Sequence, residues 1–363
     1  MINGSSMGEN GMACFHRCEK KIKLKVKNGE GEGKMAIRLS DVAKEAGVSP
    51  TTVSRVINRR GYLSQKTIHN VEAAMRKLNY HPNASAKHLQ AQKTMTIGIL
   101  VPSISNPFFG QLTFDLEQQL FQEGFNVLIG NAVHDPQKER TYLGRLLGHE
   151  VDGLIVATHN KDIPEYANAN LPIVSIDRFI RTDIPNVSSD NVQGERMATE
   201  ALIKRGARYI IHTDSIALNK HDTLREEAYR EVMNQHHRDP ITYQVDFEAP
   251  TEEKIATFTK MLDQYPETDG IVASNDTDAC VIYSVLLSRG LRVPEDVQLI
   301  GYDGAQTTQS IFPGLATLEQ PIQKMATLAI QVLKKKIDRQ EVDEEYVLPV
   351  RLKEGTTIKQ LWW

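Results

Sequence analysis

The sequence predicts an all-α helix-turn-helix headpiece followed by an α/β body of doubly wound sheets. Three observations predict it. Leu39–Asn58 reads as an amphipathic helix, a Gly turn and a capped second helix; short β-branched runs alternate with helical patterns from Thr96 onward; and the charge changes sign between the two regions. At 363 residues the chain exceeds one ordinary domain. Its 40% hydrophobic content excludes a disordered or collagenous chain, and no stretch approaches the ~20 apolar residues that a membrane-spanning helix needs.

Charge taken by segment is more telling than the formal net charge of -3. Met35–Met95 carries Arg38, Lys44, Arg55, Arg59, Arg60, Lys66, Arg76, Lys77, Lys87 and Lys93 against Asp41, Glu45 and Glu72, a balance of +7. Residues 1–34 carry +3, which leaves -13 for everything from Thr96 on. A small basic module on a large acidic body is the layout expected when one part meets a polyanion and the other does something else.

Residues 1–34 lack the apolar core of roughly 7 to 15 residues that marks a secretory signal. The run Asn28-Gly-Glu-Gly-Glu-Gly-Lys34 before Met35 would be encoded by purine-rich codons, as a translated ribosome-binding site would be. The expectation is a non-native or disordered leader with the natural start at Met35. Cys14, His16 and Cys18 lack a fourth ligand and match no zinc spacing, so no metal and no cofactor are expected. Three Cys make no disulfide framework, which points to a reducing, cytoplasmic setting.

In the headpiece, expected at 35–81, Leu39, Val42, Ala43 and Ala46 fall on one helical face and Gly47 allows a sharp turn. Ser49 is a natural N-cap with Pro50 at the first helical position, and Val53, Val56 and Ile57 form the second helix's inner face. A steeply crossed helix pair in a basic context reads as a DNA reader whose second helix enters the major groove. Pro50, Thr51, Thr52, Ser54 and Arg55 face outward, and Ser49 and Asn58 at the helix ends belong to the same DNA-binding set. Arg55 alone among them can contact a guanine with both prongs of its fork. A third helix follows the cap Ser64, with Ile68, Val71, Ala74, Met75 and Leu78 packing back on the pair. Residues 82–95, with Ala86 and Leu89, read as a short helix and linker.

In the body, 96–363, the runs Ile97–Val101, Val127–Ile129, Gly153–Val156, Ile173–Ile176, Tyr209–His212, Gly270–Ala273 and Val297–Gly301 read as buried parallel strands. Ligands of such sheets bind beyond the carboxyl ends of the strands. There the sequence places Asn106, Phe108 and Phe109; Asp177 and Arg178; Asn275 and Asp276; and Asp303, to which Arg225 and Gln320 are added. Carboxylates and guanidinium forks bond adjacent sugar hydroxyls while rings stack on a sugar's C–H face. Taken singly, Asp177-Arg178 reads as a surface ion pair and the two Phe as core; recurrence after four strands favours a small neutral sugar.

The string Leu39 to Leu89 resembles the headpiece and hinge of the LacI/GalR family of bacterial repressors. Ser-Pro-Thr-Thr-Val-Ser-Arg55, Val-Ser-Ser-Asp190-Asn191, Arg289–Asp303 and Gly-Tyr-Asp-Gly304 place it nearest that family's sucrose-operon and ribose-operon repressors of low-GC Gram-positive bacteria. The resemblance implies a hinge helix whose Leu89, beside Ala86, wedges the minor groove. It implies a periplasmic-binding-protein-like body of two subdomains, 96–189 with 304–332 and 190–303 with 333–363, joined by three crossings. It also implies ribose-binding-protein-like pocket positions at Asn106, Phe108, Phe109, Asp177, Arg178, Arg225, Asn275, Asp303 and Gln320. At Arg225 the motif continues Glu226-Glu-Ala-Tyr229 where the family usually has Gly before the aromatic.

The function so implied is a homodimeric repressor of a carbohydrate-utilisation operon, for sucrose and fructose or for ribose, that leaves a palindromic double-stranded operator when sugar binds. Corepression within the same family and a sugar carrier feeding a transporter are the alternatives. An enzyme is not expected: the body has no phosphate loop, metal cluster or nucleophile elbow. Asp177 and Asp303 could resemble a glycosidase pair, but two arginines are expected to hold both ionised.

Overall fold

The structure, a computed structural model, describes residues 37–58, 61–80, 93–133, 135–158, 160, 163–167, 171–215, 223–247 and 249–361. The leader, with Cys14, His16 and Cys18, and the hinge positions Ala86 and Leu89 lie outside the described residues. The chain divides into two compact units, Met1–Asn83 and Ala84–Trp363.

The first unit holds three helices, α1 (Leu39–Ala46), α2 (Pro50–Ile57) and α3 (Gln65–Leu78). Gly47 ends α1 at φ 67°, a backbone state that a side chain would oppose. Ser49 then caps α2 by accepting the Thr52 N–H at 3.1 Å, and Ser64 caps α3 in the same way through Thr67. Val42, Ala43, Val53, Val71 and Ala74 form the buried centre. Small Ala43 is what lets the helices approach.

The second unit holds two six-stranded sheets. The first runs β11-β5-β4-β3-β1-β2, with β1 Thr96–Val101, β2 Asn126–Asn131, β3 Gly153–Val156, β4 Ile173–Ile176, β5 Asn186–Ser189 and β11 Glu345–Leu348, all parallel. Helices α4 (Pro107–Gln122), α5 (Pro136–Leu147) and α11 (Ile322–Ile337) cover it. The second sheet runs β12-β10-β9-β8-β6-β7, with β6 Ile210–Asp214, β7 Ile241–Gln244, β8 Gly270–Val272, β9 Gln298–Asp303, β10 Ala316–Glu319 and β12 Arg351–Lys353, the last antiparallel. It packs α6 (Asn191–Lys204), α7 (Leu224–Gln235), α8 (Thr251–Gln264) and α9 (Asp276–Ser288), while short α10 (Gln306–Ile311) lies against α4.

The three crossings expected between subdomains are present, but two of them stand elsewhere. β10 pairs with β9, so 304–319 stays with the second sheet; β11 pairs with β5, so the chain from 322 to 348 belongs to the first. The crossings fall at 189–191, 319–322 and 348–351. The expected boundaries at 303/304 and 332/333 were displaced because Ala-Thr-Leu-Glu319 and Glu-Tyr-Val-Leu348 are short and carry little apolar pattern. β5 (Asn-Val-Ser-Ser189), β7 and β12 went unread for the same reason.

Candidate nucleic-acid interface and effector cleft

On α2, Ser49, Pro50, Thr51 and Arg55 are exposed, and Thr52 and Ser54 are partly so. Asn58 turns back on its own helix, its amide donating to the Ser54 carbonyl at 2.9 Å, so it ends the helix rather than projecting from it. Gly61, at φ 73°, lies against the Arg55 guanidinium, and any Cβ there would overlap it.

In the body, the carboxyl ends of both sheets meet at one cleft. Asn106 commits its side-chain oxygen to capping α4, accepting the Phe108 N–H at 2.9 Å and the Phe109 N–H more loosely. The Phe108 and Phe109 rings stand edge to face, 5.0 Å apart, and are buried. Phe109 also meets Phe247, from the segment after β7 of the other sheet, at 6.2 Å, so this contact bridges the cleft.

Asp177 and Asp303, at the ends of β4 and β9, both have positive φ, 52° and 117°. Non-glycine residues held there are strained, and such strain concentrates at binding sites. Arg225, second residue of α7, donates from Nε to Asn191 Oδ1 at 2.7 Å and from Nη1 to the Ser274 carbonyl at 3.0 Å. Its guanidinium stacks 3.6 Å above the Tyr302 ring. Burial opposes its charge, yet Tyr302, Asp177, Asp214 and Asp303 outweigh burial and hold it firmly protonated. Gln320, at the second crossing, donates to Asp303 Oδ1 at 2.9 Å and accepts from Ser189 at 2.7 Å, joining both sheets.

Arg178 is differently placed. Its Nη1 donates to Glu139 Oε1 and Thr158 Oγ1, each at 3.0 Å, and Nη2 to the Asn160 carbonyl. Glu139, wholly buried on α5, also accepts from Thr158 at 2.5 Å, from the Asn160 amide at 2.7 Å and from the Tyr166 hydroxyl. Asp177-Arg178 is therefore no surface ion pair, because the arginine's partner is an interior carboxylate.

Two expected residues are turned away from the cleft space. Asn275 caps α9 by accepting the Asp278 N–H at 2.8 Å, and its amide bonds Asp278 Oδ2 at 3.0 Å. Asp276 accepts the Gly304 N–H at 2.9 Å and the Thr317 hydroxyl at 2.5 Å, which supports the loop behind Asp303. Burial pushes Asp276 up to about 7, and burial followed by the Asp276 charge pushes Asp303 well above the usual carboxylate range despite Arg225. The expectation that the arginines keep both Asp177 and Asp303 ionised thus fails for Asp303. In a dry site its neighbouring carboxylate counts for more than the guanidinium.

The domain profile for periplasmic binding proteins and the sugar binding domain of the LacI family matches residues 94–354, and that for bacterial regulatory proteins of the lacI family matches 38–83. The chain belongs to the LacI family. Among LacI-family proteins it is similar to the sucrose operon repressor of Streptococcus mutans serotype c, 40% identical over 325 residues that cover 89% of this chain and all of that protein. It is also similar to the ribose operon repressor of Bacillus subtilis, 36% identical over 314 residues covering 86% and 95%. Its structure is similar to the lac repressor dimer bound to operator and the anti-inducer ONPF, with a TM-score of 0.78, 26% identity, and coverage of 89% and 99%. The family and both relatives are transcription regulators.

Sequence reading of this LacI-family chain missed Glu139, Asn160, Tyr166, Asn191, Phe247 and Tyr302. Phe247 would have followed from the strand-end rule had polar Ile241–Gln244 been read as a strand, and Tyr302 adjoins Asp303. Glu139 has no local signal, since nothing in a helix sequence says which of its acids faces inward.

Proposed function

We propose that the chain is a repressor of a carbohydrate-utilisation operon that leaves a palindromic operator when a neutral sugar binds the cleft. The observation that carries it is the meeting of Arg225, Asp303 and Phe247 from the second sheet with Asp177 and Phe109 from the first, with Gln320 at the crossing between them. Hydrogen-bonding groups and rings converge there from two sheets joined at three crossings, so a ligand held by both favours one relation of the sheets over another. Sucrose or ribose is the sugar of the operons that the similar repressors control, and fructose is considered with them as a moiety of sucrose.

The charge pattern supports a neutral ligand. Glu139 neutralises Arg178, and Arg225 lies beside Asp177 and Asp214, so among the described residues of the cleft neither arginine stands uncompensated for a phosphate. In the headpiece, Arg55 with Ser49–Ser54 would read the major groove, and Leu89 would wedge the operator centre. The repressor would act as a cytoplasmic homodimer without enzymatic activity. Exposed Phe114 and Phe121, two turns apart on α4, fit a second copy of the chain.

Thermal shift with D-fructose, sucrose, D-ribose and D-fructose 6-phosphate tests the reading, together with operator gel shifts. One neutral sugar should raise the melting temperature and release operator while the phosphate ester does neither. Stabilisation by the ester alone would overturn the neutral-sugar reading. Leu89→Ala should weaken operator binding and leave sugar binding intact; unchanged operator affinity would remove the wedge.

A further inference from the structure

We infer that Tyr302, acting with Asn191, is the positioning residue for Arg225 in sugar binding and ties the sugar seat to the crossings between the subdomains. The inference rests on reading the cleft as the sugar seat. Arginine on its long stem samples many rotamers, and a fork useful for ligand binding must be held in one plane and one rotation. The Tyr302 ring, fully buried, fixes the plane by lying 3.6 Å from the guanidinium carbon. Asn191 fixes the rotation, because its Oδ1 accepts the Arg225 Nε–H at 2.7 Å and the Tyr302 hydroxyl at 3.1 Å. One oxygen therefore registers ring and fork against each other. These bonds, with Nη1 on Ser274, hold Nε and Nη1, and in this reading Nη2 is the end that would meet the sugar.

The same residues stand at the crossings. Asn191 opens α6 directly after the first crossing, which Ser189 ends on the other sheet. Tyr302 packs with Val350 of the third crossing, and its neighbour Asp303 is bonded by Gln320 of the second. Gly194, one turn into α6, leaves the space: a Cβ there would press on the Tyr302 ring and hydroxyl at 3.1 to 3.3 Å and on Val350 at 3.0 Å. A tyrosine serving only as core filler would need no such register. Burial pushes its phenol up to about 12, so the hydroxyl stays a donor at neutral pH.

The test is calorimetric titration of the full chain with D-fructose, sucrose and D-ribose, in wild type and in Arg225→Lys, each with and without Tyr302→Leu, Tyr302→Phe and Asn191→Ala. In wild type, Tyr302→Leu and Asn191→Ala should each weaken the bound sugar by about tenfold or more, and Tyr302→Phe, which keeps the ring, by about threefold. In Arg225→Lys, where no planar fork remains to position, the same changes should cost under about twofold. Circular dichroism melts establish that each variant is folded; should Tyr302→Leu fail to fold, Asn191→Ala carries the comparison alone. Equal losses in both backgrounds would make Tyr302 and Asn191 merely structural and overturn the inference, as would unchanged affinity in wild type. A wild type bound by none of the three sugars would overturn the sugar seat and this inference with it.

Discussion

Arg178 and Arg225 reach the cleft from different subdomains and are held by opposite means. Arg178 sits in a closed electrostatic unit, its charge answered by buried Glu139 and its donors spent on Glu139, Thr158 and the Asn160 carbonyl. Arg225 donates to neutral groups, Asn191 Oδ1 and the Ser274 carbonyl, and lies on the Tyr302 ring, with the charges of Asp177, Asp214 and Asp303 around it. One arginine is part of the wall and the other is an instrument mounted on it. A buried ion pair fixes a side chain at the cost of its availability; bonds to neutral acceptors leave the fork easier to displace.

Removing one mounting from each side breaks the comparison most severely. Glu139→Ala would strand a cation whose side chain is 12% exposed, and losing one partner of a buried pair costs about 3 to 5 kcal/mol. Asn191→Ala removes one neutral acceptor and should cost about 1 to 2 kcal/mol. Urea unfolding at pH 7 measures both; equal losses would mean that Glu139 does not hold Arg178 more tightly than Asn191 holds Arg225.

A smaller effect sharpens the comparison by freeing the charge of Arg178. Glu139→Gln keeps the volume of the side chain but removes the neutralising charge, so the first subdomain's wall becomes positive. The preference between D-fructose and D-fructose 6-phosphate should then move toward the phosphate by about tenfold, or 1.4 kcal/mol, in calorimetric titration. An unmoved ratio would show that Arg178 is not felt in the cleft.

The two halves also differ in how far their sequence discloses them. Strands made of buried β-branched runs, such as Ile97–Val101 and Gly153–Val156, announce themselves, and so do the headpiece caps Ser49 and Ser64, because each rests on neighbours in sequence. The strands that decide which sheet owns a segment, Ala316–Glu319 and Glu345–Leu348, are short and partly polar, and their pairing partners lie far away in sequence. Asp177 and Asp303 are expected at the site because the carboxyl ends of strands are where such sheets bind ligands, whereas Arg225, at a helix start, is expected there only as an addition to them and through the family resemblance. Glu139 and Asn191 are not expected there, since a mounting is defined by what it touches in three dimensions.

Beneath Arg225 the second subdomain hides a further pair that separates it from the first. Glu195 and His212 are each 1% exposed, 3.7 Å apart, and stacked over Tyr229 through the His212 ring. Burial pushes Glu195 up to about 8, Arg225 only partly opposing and Asp214 adding to it, while burial and then Arg225 and Arg230 push His212 down to about 3. At pH 7 both are thus held mostly neutral. A carboxyl whose folded value lies above its unfolded one contributes stability at low pH that is lost as pH rises through the folded value. Wild type should therefore fall behind Glu195→Gln, which keeps a neutral amide at every pH, as pH is raised from 6 to 9. The difference in melting temperature between the two should widen steadily up to about pH 8 and level off above it. A difference that stays flat across the range would mean that Glu195 already carries its charge in the fold, and that the second subdomain suppresses no charge beneath Arg225.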